Sequence, residues 1–155
     1  MANFVPFLDA SQVMSITLAS LANNAARESS AVSNVTSAYL DVHVQLSVAT
    51  SGSAAGDRAL LVYAYGTENG SRYTYNVTGV DAAVTVNSPV AFRLIGTIPH
   101  ANSGTQIYVS QPMAVAPAFG GFLPRNWGLV VENRTGRTLL ATSHEVRYTG
   151  QIVQG

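Results

Sequence analysis

From Leu40 to Val48 every second residue is a branched aliphatic (Leu40, Val42, Val44, Leu46, Val48), and the residues between are Asp41, His43, Gln45 and Ser47. Successive side chains of a strand point to opposite faces, so Tyr39–Ala49 has one dry face and one wet face. A half-buried antiparallel strand satisfies that pattern; a helix does not. The run Ala59–Tyr65 is apolar on both parities and predicts a central strand covered on both sides. The small and polar residues 51–57 between the two read as a loop.

Further strands are predicted over Arg72–Thr78, Ala83–Val86, Val90–Ile98, Thr105–Ser110, Trp127–Val131, Thr138–Ala141 and Val146–Val153. Asn69-Gly70 is a strong hairpin signal, because both central residues of a type I′ turn need positive φ. It predicts that Ala59–Tyr65 and Arg72–Thr78 pair, with Tyr63, Tyr65, Tyr73 and Tyr75 meeting as cross-strand partners. Asn133-Arg134-Thr135-Gly136 reads as the turn leaving the Trp127 strand. Turn residues recur about every ten positions, the spacing of an all-β sandwich or barrel. The expected fold is an all-β antiparallel β-sandwich, with the jelly roll as a candidate strand arrangement.

At 155 residues a single domain is expected, spanning residues 11–155 behind an N-terminal arm of residues 1–10. Within Val13–Ser20, Met14, Ile16 and Leu18 alternate as in a strand, whereas Met14, Leu18, Leu21, Ala22 and Ala25 fit a helical stripe with Ser11 as cap. The strand is preferred because the rest of the chain is β. Phe4, Val5, Phe7 and Leu8 make the arm too apolar for an idle tail. It docks on its own domain or reaches to a neighbouring subunit.

Catalytic patterns are missing. The chain has no Gly-x-Ser-x-Gly elbow, no Walker loop and no Gly-x-Gly-x-x-Gly. With no cysteine it holds neither disulfides nor thiolate metal sites. His43, His100 and His144 fall on separate elements without a ligand partner at close spacing, and His43 reads as an ordinary surface histidine. The acids are widely spaced. No catalytic residue, cofactor or metal site is expected, and the chain reads as no enzyme. Asn-x-Ser/Thr triplets at Asn34, Asn69, Asn76 and Asn133 are expected by chance in a chain so rich in these residues.

Only 10% of residues are charged, the net charge is zero, and all 8 basic residues are arginine, against about 25% charged residues in an average domain. Weakly charged neutral surfaces associate, so part of the surface is expected to meet partners. The competing reading is a monomer covered by Ser, Thr and Asn. Scattered arginines, without a basic tail, argue against nucleic acid. No apolar stretch reaches the roughly 18 residues of a membrane span. Asp9 interrupts the segment where a signal peptide would be apolar, so synthesis and retention in a cytoplasm are expected.

Phe119, Phe122, Leu123, Arg125 and Trp127 surround Gly120-Gly121 and Pro124. So many large apolar groups at a flexible loop suggest a subunit-interface anchor, and core packing at one end of the sandwich is the alternative. With Phe4 and Phe7 of the arm they form the candidate interface. Glycan stacking on the tyrosines is a further possibility.

Four stretches resemble small β-rich virion proteins of tailed double-stranded-DNA bacteriophages, of the head decoration or cement kind. They are Ile16–Ala22 running into Ala26–Asn34, Val62-Tyr63-Ala64-Tyr65-Gly66, Leu123-Pro124-Arg125-Asn126-Trp127-Gly128 through Thr135-Gly136, and Tyr148-Thr149-Gly150. They are packing and turn signatures, not active-site motifs. The resemblance implies a non-enzymatic sandwich that forms a homo-oligomer, with a trimer suiting three-fold positions. It implies binding to the major capsid protein on an icosahedral head surface. The alternatives are a carbohydrate-binding fibre or lectin-like module, and a head–tail or tail component.

Overall fold

The computed structural model describes residues 5–52, 58–87, 92–100 and 104–154. They form two antiparallel sheets with one 3-10 turn at Ala116–Phe119. The chain is an all-β sandwich.

The first sheet contains β1 (Val5–Leu8), β2 (Gln12–Val13), β5 (Asp41–Thr50), β9 (Gln106–Val109), β10 (Met113–Ala114) and β12 (Glu145–Gln154). The second contains β3 (Ala26–Glu28), β4 (Val32–Ser33), β6 (Ala59–Thr67), β7 (Ala82–Val84), β8 (Arg93–Pro99) and β11 (Asn126–Asn133). The pairs β1/β2, β3/β4 and β9/β10 each act as one interrupted strand, because both members lie on the same neighbour. Counted so, the first sheet runs β1/β2–β12–β5–β9/β10 and the second β3/β4–β11–β6–β8, with β7 added beside β3. This is the strand order of a jelly roll, two Greek keys folded into facing sheets.

The main core lies between the sheets. Val42, Val44, Leu46 and Val48 of β5 share it with Leu60, Val62 and Ala64 of β6 and with Trp127, Leu129 and Val131 of β11, all buried. The other parity of the second sheet is buried too. Tyr63, Tyr65 and Val130 pack under Val77, Val84 and Phe92 from the long connection between β6 and β8. We therefore call the second sheet covered and the first open. The covering segment is fastened by Glu28, whose buried carboxylate accepts from the Thr78 amide (2.9 Å), the Thr78 hydroxyl (3.0 Å) and the Gly79 amide (3.0 Å). A buried carboxylate is tolerated when donors saturate it in this way.

The alternation expected around β5 and the two-sided burial expected of β6 are present. Three expectations are corrected. Residues 72–78 form no strand: β6 already has β11 on one side and β8 on the other, so no edge is left to pair with. Asn69 instead closes its own turn, its Oδ1 accepting from the amides of Ser71 (2.9 Å) and Arg72 (2.8 Å), the competing local bond typical of Asn. Only one tyrosine contact survives, Tyr65 to Tyr73, edge-on at 5.7 Å.

Within Val13–Ser20, the strand ends at Val13, with one last bond from the Met14 amide to the Val146 carbonyl, although Met14 and Leu18 still point inward. The chain is crossing between sheets there, held by Thr17 on the Asp81 carboxylate. Thr138–Ala141 contributes one bridge, Thr50 to Leu139, and no strand.

Residues 5–8 add β1 to the rim of the open sheet by pairing with β12. The Asp9 amide donates to the Gly150 carbonyl. By alternation of hydrogen-bonded pairs in that register, the peptide groups of Pro6 and Leu8 point away from β12. Pro6 thus stands where an exposed rim would otherwise offer an N–H.

Candidate interaction surfaces

One end of the sandwich gathers the connections 34–40 and 115–125, the start of the segment after β6, and both ends of the described chain. Asp41 Oδ1 accepts from the amides of Val115 (3.2 Å) and Ala116 (2.7 Å) and so fixes the start of the 3-10 turn. The turn ends at Gly120 and Gly121, with φ of 84° and 108°, values that L side chains rarely adopt. The chain then presents Phe122, 74% exposed. Phe119 and Leu123 are half-buried and pack on the core, and Arg125 is exposed. The ring of Pro124 lies so close to Gly66 that a Cβ there would collide with it. A shallow cleft of about 330 Å³ separates Thr67, Glu68 and Thr74 from Phe119 and Phe122.

The neighbouring loop is built by Asn34, whose side chain bonds both the amide (2.8 Å) and the carbonyl (3.1 Å) of Tyr39. The Asn34 amide donates to the Arg125 carbonyl at 2.8 Å, tying the two loops together. Val35 and Leu40 are left exposed beside them. Leu40 bonds Gln151, and Phe7, 52% exposed, pairs with Ile152 one position further along β12. Both segments singled out in the sequence, the arm and the Gly-Gly loop, therefore reach this end.

Trp127 does not belong to the surface. Its indole is fully buried between the sheets, edge-on to Tyr148 at 5.4 Å. It shares the inward parity of Leu129 and Val131, so its large apolar area serves the core. Phe4 lies outside the described residues.

A second apolar surface escaped the sequence reading. On the outer face of the open sheet, Leu8, Val13, Val109, Ile107 and Val153 are exposed. Around them stand His43 and Gln45, also exposed. In the predicted strand Thr105–Ser110, the register with Ala49 and Ser47 turns Ile107 and Val109 outward and Tyr108 inward. The signal was their parity relative to β5, which depends on a pairing that sequence does not reveal.

Several ionisable groups are engaged locally. Tyr39 donates to Asp9 Oδ2, Gln12 Nε2 donates to the Tyr39 hydroxyl (3.3 Å), and Tyr148 donates to Gln12 Oε1 (2.9 Å). The Tyr39 bond, with the Ala10 amide, holds the Asp9 carboxyl below its usual range, and the same carboxylate pushes the Tyr39 phenol up. Glu132 is buried and bonded by Arg134 Nε (2.7 Å) and by the Tyr63 hydroxyl (3.2 Å). Burial, then the Glu132 charge, raises the Tyr63 phenol. His144 accepts from the Ala49 amide, and His100 lies against Thr50. Among the described residues no group of three or more His, Asp or Glu is placed to hold a metal ion, and no helix is long and apolar enough to cross a membrane.

No protein-family model, no curated protein and no solved structure matches this chain.

Proposed function

We propose that this chain is a non-enzymatic structural protein of a phage virion, which decorates and stabilises an icosahedral head by binding the major capsid protein and further copies of itself. It is made in the host cytoplasm and resides on the head surface, assembled with further copies of itself. The observation that carries the reading is Phe122, held out at 74% exposure by two left-handed glycines at the loop end. An aromatic side chain kept out of the core, with half-buried Phe119 and Leu123 behind it, has the character of an interface anchor. The jelly-roll order supports the reading, since viral capsid domains commonly use it, although a fold alone does not assign a function. The scarcity of charge supports it as well.

The test is co-sedimentation of the purified chain with head shells of the encoding phage from which it has been stripped. Saturable binding is expected, lost in Phe122→Asp with the melting temperature unchanged. Equal binding of the variant, or absence of the chain from purified virions by mass spectrometry, overturns the reading.

A second reading, a carbohydrate-binding module, rests on Tyr75, which is exposed and edge-on to Phe92 at 6.0 Å, because sugars stack on aromatic faces. It requires glycan-array binding that Tyr75→Ala abolishes.

A further inference from the structure

We infer that the outer face of the open sheet is where a second copy of this chain docks, an inference that rests on the self-assembly part of the proposed function and assigns it a surface. The covered sheet has both faces packed, one on the main core and one under the connection between β6 and β8. The open sheet packs only its inner face on the core, and the centre of its outer face, at His43 and Gln45, is exposed.

That face is unlike a sheet surface meant for water. The solvated side of an antiparallel sheet is normally polar, yet here branched aliphatics stand on it in two strips. Val13 of β2, 62% exposed, and Leu8 of β1 lie along one margin. Val109 of β9, 60% exposed, and Ile107 lie along the other. The band between them sets Gln45 and Ser47 of β5 against Arg147 and Glu145 of β12 in register. Arg147 and Glu145 form an open pair at 3.3 Å.

Three features select a copy of the same chain as the occupant. The first is charge. Arg147 and Glu145 offset each other on the face, and the whole chain is neutral. Copies do not repel, and a second face supplies a glutamate for each arginine and an arginine for each glutamate. The second is the strips: each margin presents an apolar row that matches the opposite margin of another copy. The third is size. Four strands spaced about 4.8 Å apart, over about eight residues each, project roughly 500 Å². Side-chain relief brings this near the ~800 Å² per partner of a standard interface.

The chain has no cysteine, so engineered thiols report contacts without background. Val13→Cys and Val109→Cys are oxidised mildly, each alone and as an equal mixture, beside light scattering of the wild type at about 100 µM. The expected result is an oligomeric wild type and disulfide-linked dimers in the mixture or in either variant alone. Val109→Asp is expected to weaken association about tenfold or more, with circular dichroism and melting temperature retained because the position is exposed. An oligomeric wild type with no cross-link in any sample, and with Val109→Asp keeping the wild-type mass, overturns the inference and leaves self-assembly standing on another surface. A monomeric wild type overturns both the inference and the self-assembly it rests on. Shell binding is read separately, by sedimentation of Phe122→Asp.

Discussion

Tyr65 lies across Gly128, its registered partner on the neighbouring strand, so closely that a Cβ at position 128 would overlap the phenol ring. The hydroxyl then reaches past the glycine to donate to the Ser29 carbonyl at 2.6 Å, in a fully buried position. Gly128→Ala is therefore expected to destabilise the fold by about 1–3 kcal/mol through overpacking. Tyr65→Phe should cost about 1–2 kcal/mol by leaving a buried carbonyl short of a donor. Urea denaturation of both variants checks this, with an unchanged m-value expected.

Trp127 and Phe122 are neighbours in sequence with opposite duties. Trp127→Ala is expected to cost about 3–5 kcal/mol as a buried aromatic truncation. The buried indole Nε1 has no hydrogen-bond partner among the described residues, so Trp127→Phe forfeits no bond and should cost clearly less than the alanine variant. Phe122→Ala should leave stability within about 0.5 kcal/mol. Thermal melts of the three variants side by side decide it.

Glu28→Ala should free the covering segment before the sandwich itself unfolds. Its carboxylate takes donors from Thr78 and Gly79, and hydrogen bonds to a charged group contribute about 1.5–3 kcal/mol. Amide exchange at Thr78 and Gly79 is expected to rise sharply, while Val130 in β11 stays protected.

The acid response follows from two carboxylates. Asp9 is held below its usual 3.8 by the Tyr39 hydroxyl and the Ala10 amide. Burial works to raise Asp81, and bonds from Arg27 and Thr17 outweigh it, so it too sits below 3.8. A carboxyl depressed in the folded state contributes its stability above the unfolded value, and that contribution is lost as pH falls through the folded one. The sandwich should thus weaken below about pH 4. Asp9→Asn should remove the part of that loss seen in the protection of the Asp9 amide of the β1–β12 junction, and leave the Asp81 part intact.

The alkaline side has the opposite sign. Burial raises the phenols of Tyr63, Tyr65 and Tyr148 above 10.0. Their stabilisation is complete below that value and is lost as pH rises through the higher folded values. A tyrosinate absorbance titration should show a delayed, cooperative step coincident with unfolding.

Strands whose two faces meet different surroundings were legible in the sequence. β5 has one wet face, so its aliphatics alternate, and β6 has none, so its apolar run is continuous. Residues 72–78 have strand-like composition but no free edge to join, and edge availability is a property of the whole sheet. Met14, Ile16 and Leu18 show strand periodicity because the chain is extended there, whether or not it is paired. Trp127 was open to correction from parity alone, since Leu129 and Val131 share its side. The jelly-roll order was not legible beyond a candidate, because its pairings join segments far apart in sequence. The apolar strips of the open sheet were hidden for the same reason.

Pro6 carries a consequence for how this molecule behaves in quantity. The rim it occupies is the place where a foreign strand would graft itself, and where each graft would offer a fresh template for the next. A ring nitrogen without hydrogen removes a bond from that reaction at its first step. Strand-by-strand growth at this rim is thereby weakened where it would begin, which favours assembly through side-chain surfaces over backbone that can go on adding.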